Sequence, residues 1–353
     1  MRRGVRVIML LAAVLVVAWG VLAIRLNTLR HPHMSTVSTA PIPNFSHVFV
    51  IMMENHSVQS LTPQDTPYIH RLMQQYGTDS AYYGVTHVSL PNYVALLSGR
   101  TFGTHSDNPT QIFPGPNLAE QLQAHHISWQ AVMQSDPSAG YQGNWYPDNL
   151  PTSAHPATPP PNALYAKKHN PFALFKHFNP VHHIATLSTL HQELLSKSVP
   201  KFVWITPNLC HDMHGQVVGP GATCPETHPN LLLRNGDKFL AQWVPAIMHS
   251  KAWTPGSVIF ITWDEAGPLS LTHLTQYLSP GPGAPHLLGM PIGGGPVPLI
   301  VITHNGPKPI HISLWADHYS LLKTIEAGWH LPYLGHAAQS SVPLLSPFFG
   351  GAK

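Results

Sequence analysis

The chain has 353 residues, 43% of them apolar, which is enough for a sizeable core and excludes wholesale disorder. Charged residues supply only 9% and the net charge is +3, where about 25% charged is ordinary for a soluble domain. With no long Lys/Arg block, nucleic-acid binding as a primary role is excluded as well.

In chain order, Arg2, Arg3 and Arg6 precede an apolar run from Val7 to Ile24 that Arg25 closes. A basic flank before a stretch of that length reads as a membrane anchor or a cleaved export signal, the anchor preferred because no small-x-small cleavage site follows. Residues 1–30 are thus a signal or anchor and 31–45 a polar, Pro-containing linker. Residues 46–353 are expected to form one catalytic domain, extracytoplasmic and either tethered or secreted. Two cysteines, Cys210 and Cys224, suit a disulfide in an exported chain.

From Ser46 onward strands and helices alternate. Apolar runs predict strands at 47–53, 81–85, 127–133, 201–207, 257–263 and 296–303. Helices are predicted at 66–76, from about Pro91, and at 117–125, 231–249 and 317–328. Continuous apolar strands between helices indicate an α/β fold, a three-layer α/β/α sandwich around a mostly parallel sheet. Segments 137–170 and 266–296, rich in Pro or Gly, read as long loops over that sheet, and such loops are often functional.

Ligands of an open parallel sheet bind beyond the carboxyl ends of its strands. Glu54 and Asn55 follow the first strand; Asn208, His211, Asp212 and His214 follow 201–207; Asp264 and Glu265 follow 257–263; Asp317 and His318 open the last helix. With only 15 carboxylates in the chain, their concentration there is poorly explained as surface decoration. Carboxylates, an amide oxygen and imidazoles make a site for a divalent cation. Ser89 lies just before a predicted helix that has Pro91 in its first turn. It is read either as a helix cap alone or as a cap that is also a nucleophile beside a cation and a phosphate-binding helix end.

Seven segments carry a resemblance: Met52–Ser57 (MMENHS), Ser89–Tyr93 (SLPNY), Lys168–Phe172 (KHNPF), Thr206–His214 (TPNLCHDMH), Thr262–Gly267 (TWDEAG), Gly295–Pro298 (GPVP) and His318–Leu322 (HYSLL). In this order they resemble the phosphoesterase family of bacterial phospholipases C and acid phosphatases, within the alkaline-phosphatase superfamily. The resemblance implies an alkaline-phosphatase-like fold and one divalent metal ion, held by Glu54, Asn55, Ser89, Asp264 and Glu265. It implies Ser89 as nucleophile, and His169 and His214 as contacts to phosphate or proton donors to the leaving group, with His318 nearby. Asp212 matches an acidic position without an assigned role, and His211 stands where relatives often carry Asn; with Asn208 these are expected around the site rather than in it. The expected substrate is a small phosphate monoester, as in acid phosphatases. The alternatives are a phospholipase C-type diesterase on phospholipid head groups, for which Trp145, Tyr146 and Tyr165 could cage a quaternary ammonium, and an inactive membrane-anchored binding protein. Scarce carboxylates and histidines taken as mostly exposed suggest a protein suited to acidic media.

Overall fold

The computed structural model describes residues 41–138, 140–148, 159–196, 198–267, 274–287, 289–306 and 308–350. The expected anchor at 1–30 and residues 31–40 of the linker lie outside them. Among the described residues, no helix is long and apolar enough to cross a membrane.

Eight strands form the central sheet: β1 (Val48–Met53), β2 (Gly77–Asp79), β3 (Trp129–Met133), β4 (Ile184–Ala185), β5 (Phe202–Thr206), β6 (Val258–Trp263), β7 (Leu299–Thr303) and β8 (Ile310–Ile312). Their spatial order is β8-β2-β7-β6-β1-β5-β3-β4. Every residue of β1, β3, β5, β6 and β7 is buried. Strands covered on both faces have no solvent side to alternate with, which is why the sequence shows unbroken apolar runs there.

The main helices are α1 (Pro67–Gln75), α2 (Ser89–Ser98), α3 (Leu118–Ala124), α4 (Leu187–Leu195), α5 (Pro229–Met248) and α6 (His318–Gly328). α1 packs on α5, while α2 packs on α6 and α3. These groups and the sheet between them make the three layers of an α/β sandwich. Side chains set several helix starts. Asn117 and Glu120 cap α3 reciprocally, and Asp317 accepts the Tyr319 and Ser320 N–H groups of α6, satisfying donors that have no partner inside a helix. α2 stops at Gly99, whose φ of 71° a side chain would strain.

The structure departs from expectation in three places. Strand β7 runs antiparallel to both β6 and β2. Among the described residues between β6 and β7 only one helical turn, Leu274–Tyr277, is present, and an antiparallel neighbour does not need the covering helix that a parallel crossover does. The strand expected at 81–85 shrinks to Tyr82–Tyr83 and pairs with Ala316–Asp317, outside the main sheet. Strands β2, β4 and β8 and helix α4 add to the expected set. The three strands are two or three residues long, too short to show a period.

Two buried acids lie apart from the carboxyl ends of β1, β5 and β6. Burial pushes Glu326 of α6 up to about 8 and Asp79 up to about 7. Glu326 accepts the Leu334 N–H with one oxygen at 2.9 Å, while the other is buried without a hydrogen-bond partner. A folded-state pKa above the unfolded value means that the native protein holds a proton the unfolded chain releases, so stability falls as pH rises through that interval. Buried histidines oppose this at lower pH: burial takes His318 down to about 4, a contribution lost as pH falls below 6.5. The histidines are therefore not uniformly exposed. The thermal midpoint is expected to fall between pH 6.5 and 8, and Glu326→Gln to flatten that decline while raising the midpoint at pH 8. A variant whose profile parallels the wild type would remove Glu326 as the cause.

Candidate active site

The three central strands β6, β1 and β5 lie side by side, and each delivers acidic residues at its carboxyl end. Glu54 follows β1, Asp264 follows β6, and Asp212 sits in the turn after β5. All three are completely buried. Backbone hydrogen bonds tie the ends together: Glu54 N–H donates to the Asp212 carbonyl at 2.8 Å and Asp264 N–H to the Met53 carbonyl at 3.0 Å. The Asn55 N–H donates to Asp264 Oδ1 at 2.8 Å. This places Asn55 at φ 54°, and Gly267 passes so close that a Cβ would lie 2.5 Å from the Asn55 carbonyl oxygen.

Ser89 is the first residue of α2, and Val88 occupies the cap position without a side-chain bond. Ser89 is therefore not the cap, and its hydroxyl donates to Glu54 Oε2 at 2.9 Å. It also bears on the Asp264 carboxyl, so Ser89 stands between the two acids. The helix end offers few N–H groups for an anion, contrary to expectation. Asp107 Oδ1 accepts the Leu90 N–H at 2.9 Å, and Pro91 has none. Asn92 fixes the approach to the helix, accepting from Val85 and Thr86 and donating to the Thr86 and Val88 carbonyls.

The imidazoles form the opposite wall. His169 lies between two acids, Nε2 at 3.1 Å from Glu54 Oε1 and Nδ1 at 3.1 Å from Asp212 Oδ2. Neither approach has hydrogen-bond geometry, so both are electrostatic contacts. The ring stacks on Tyr93 and meets His214 edge-on. The His214 N–H of the main chain donates to Asp212 Oδ1 at 2.7 Å, which gives Asp212 a visible part in shaping this turn. Both ring nitrogens of His214 are engaged, Nδ1 with the Gly215 carbonyl at 2.9 Å and Nε2 with Lys168 Nζ at 3.0 Å.

Charge in this enclosure is costly. Burial, reinforced by Asp264, raises the Glu54 carboxyl well above its usual range; burial raises Asp212 likewise, and burial with Glu265 pushes Asp264 up to about 8. Burial and the Lys168 charge drive His214 down to about 3 and lower His169 strongly. Burial disfavours the Lys168 ammonium, but Asp107 and Glu54 more than offset it and hold its pKa above the ordinary value.

Other expected residues lie at the margin. Glu265 is bonded through Oε2 to His87 Nδ1. His87 Nε2 contacts the Tyr277 carbonyl at 2.9 Å, and its ring stacks on the Tyr277 ring with centroids 3.7 Å apart. His318 is not aimed at a substrate phosphate: it is buried behind Asp264, with Nε2 2.6 Å from the Asp264 carbonyl and Nδ1 3.0 Å from the Tyr82 hydroxyl. His211 turns to Gln134 and stacks on Phe239, while Asn208 donates to the Ser135 hydroxyl at 2.9 Å. Both shape the turn and do not join the acids. Of the residues expected to form a cage, Trp145 and Tyr165 are buried, Trp145 packing with Ala163, Ala166 and Leu209, while Tyr146 is exposed. The reading of the sequence passed over Asp107, His87 and Lys168, although Lys168 lies in a motif it singled out.

The donor set fits a divalent cation. Glu54 Oε1, Asp212 Oδ2 and Asp264 Oδ2 are buried oxygens without hydrogen-bond partners, and such atoms are costly to bury unless something compensates them. Glu54, His169 and His214 each offer a ligand atom, all within 4.8 Å of one another.

The Phosphoesterase family profile matches residues 49–332. The chain belongs to the Phosphoesterase family. Among curated relatives of this family member, an acid phosphatase of Aspergillus fumigatus is 24% identical over 87% of this chain and 63% of its own length. A phosphate-repressible acid phosphatase of Penicillium chrysogenum is 27% identical over 72% and 52%. The chain thus spans about half to two-thirds of these fungal relatives. A phosphatidylinositol-3-phosphatase of Mycobacterium tuberculosis is 25% identical over 99% of the chain and 94% of its own length. In fold, the family member is similar to an alkaline phosphatase superfamily protein from Vibrio parahaemolyticus, with TM-score 0.52, 13% identity and coverage of 86% and 73%. A Bacteroides thetaiotaomicron protein of glycosaminoglycan metabolism gives TM-score 0.54 at 13% identity, covering 86% and 82%. The chain shares the fold of these two solved structures.

The disulfide expected between Cys210 and Cys224 is present. It closes the loop holding Asp212 and His214, which Gln216 braces by accepting from Thr223 and Cys224 and donating to Ala163. Replacing both cysteines by Ser should lower stability by about 3 kcal/mol from loop-closure entropy. Turnover should fall with it as the His214 turn loosens. Unchanged denaturant midpoints would show that Gln216 alone holds the loop.

Proposed function

We propose that the protein is a hydrolase of phosphoric esters of the acid-phosphatase type, with residues 46–353 as the catalytic domain and Ser89 as the nucleophile. The observation that carries this is the Ser89 hydroxyl held at 2.9 Å from Glu54 and flanked by Asp264. A serine at a helix start beside converging carboxylates suits attack on phosphorus far better than it suits structural support.

In the first step Ser89 Oγ attacks phosphorus, its proton leaving along the bond to Glu54. The ester oxygen departs as an alcohol on the side lined by His169 and His214, taking up by way of water the proton that Ser89 gave to Glu54. Water then hydrolyses the phosphoserine. One divalent cation is proposed here, held by Glu54, Ser89 and Asp264 with Asn55 and Glu265 adjoining; bound, it would stabilise the serine alkoxide and the charge on phosphoryl oxygens. Glu265 would serve through the oxygen that His87 leaves, and His318 by fixing the Asp264 main chain. An inactive binding protein is disfavoured because Ser89, Glu54 and Asp264 are mutually arranged and not merely present.

Between monoesters and diesters, the buried Trp145 and Tyr165 argue against a choline-type cage. The near full-length match to a phosphatidylinositol-3-phosphatase supports a second reading, a monoester carried on a lipid head group. The disulfide supports an extracytoplasmic location, with the amino-terminal segment as tether or export signal.

Ser89→Ala is expected to reduce turnover of phosphate monoesters at least about 1,000-fold with an unchanged melting profile. More than a few per cent of residual activity would place the nucleophile elsewhere. Asp264→Asn should lose both activity and bound metal in elemental analysis, and a full metal equivalent retained by that variant would remove Asp264 from the ligand set. Comparing p-nitrophenyl phosphate, a diester and phosphoinositide vesicles, each with and without chelator, separates the substrate readings.

A further inference from the structure

Apart from the proposed cation, the site described so far is rich in acids and offers a phosphate few donors. Glu54, Asp212 and Asp264 are fully buried together. At the start of α2 the Leu90 N–H is taken by Asp107 and Pro91 has none. A substrate phosphoryl group carries negative charge into this enclosure and needs a cationic donor aimed at it.

Lys168 is a buried cation set against His214, a wall of that enclosure. It is 5% exposed, and Nζ donates to Asp107 Oδ2 at 2.7 Å and contacts His214 Nε2 at 3.0 Å. An ammonium has three N–H donors, so one remains after these two. Lysine is almost never buried without a reason, and a counter-ion on the protein exterior would have been cheaper. The Asp107 carboxylate that grips it is bidentate across two elements, because Oδ1 holds the Leu90 N–H next to Ser89. One side chain thus fixes the position of the ammonium relative to the helix that bears the serine.

We infer that Lys168 contacts the phosphoryl oxygens of the substrate at this site, and that Asp107 is the positioning residue that aims it. This rests on the proposed phosphoester reading for the identity of the ligand. A bare counter-ion for the buried acids would also sit here, but it would not answer to phosphate.

The test is titration of inorganic phosphate into the full chain as purified with its metal, followed calorimetrically, alongside steady-state turnover of p-nitrophenyl phosphate. Lys168→Met should weaken phosphate binding by about tenfold or more, as expected for loss of a charge-assisted contact, and lower kcat/KM by about 100-fold. Lys168→Arg should recover most of the phosphate affinity. Asp107→Asn retains an oxygen for Leu90 but releases Lys168, so KM should rise more than kcat falls, with an unchanged melting midpoint. Wild-type phosphate affinity in a folded Lys168→Met variant would overturn the proposal and leave a counter-ion role. If that variant does not fold, Asp107→Asn decides, and unaltered KM and phosphate affinity there overturn it equally. A wild type that binds phosphate yet hydrolyses no ester would refute the phosphoesterase reading while leaving the phosphate titration of Lys168 decisive. A wild type that binds no phosphate refutes the assignment of Lys168.

Discussion

Three carboxylates brought into one dry space by three adjacent parallel strands are the constraint around which the molecule is arranged. Separated, Glu54, Asp212 and Asp264 would each be hydrated. Here the sheet forces them together with no water-facing edge, and burial drives their pKa values upward. Such an arrangement is stable only if opposing charge or protons are supplied. The surroundings show part of this: Lys168 is drawn inward, and main-chain N–H groups of Asn55 and His214 are turned onto carboxylate oxygens. An incoming cation would relieve what remains.

Much of this was legible beforehand for a physical reason. Parallel strands covered on both faces must be uniformly apolar, so β1, β5 and β6 announce themselves in sequence, and whatever follows each is carried to the same edge. That logic brought Glu54, Asp264, Asp212 and His214 together without knowledge of strand order. Adding the motif at Lys168–Phe172 brought in His169. The disulfide followed from cysteine count and compartment.

What was not legible depended on contacts distant in sequence. Asp107 lies in a loop with no periodicity, and only the fold brings it to Lys168, 61 residues away. Likewise His318 opens a helix, where an imidazole looks available, yet the tertiary structure puts both ring nitrogens to work behind Asp264. The direction of β7 was hidden because an apolar run carries no sign of which way it crosses the sheet. Ser89 was ambiguous for a different reason: capping and catalysis both favour a hydroxyl near a helix start, and one residue of register separates them.

The grip of His87 on two partners has a consequence for how such a protein can diverge. Its ring spans from Glu265 on the acid floor to the Tyr277 carbonyl in the covering segment, and lies flat on the Tyr277 side chain. Floor and cover are therefore mechanically one piece at this point. A new substrate preference reached by reshaping the cover around Tyr277 would drag on an acid beside the reacting centre, so selectivity and rate would change together. Among the described residues no hydrogen bond links the opposite wall, built on the disulfide-closed loop, to Tyr277, and remodelling there could alter which esters enter while leaving the Glu265 side undisturbed.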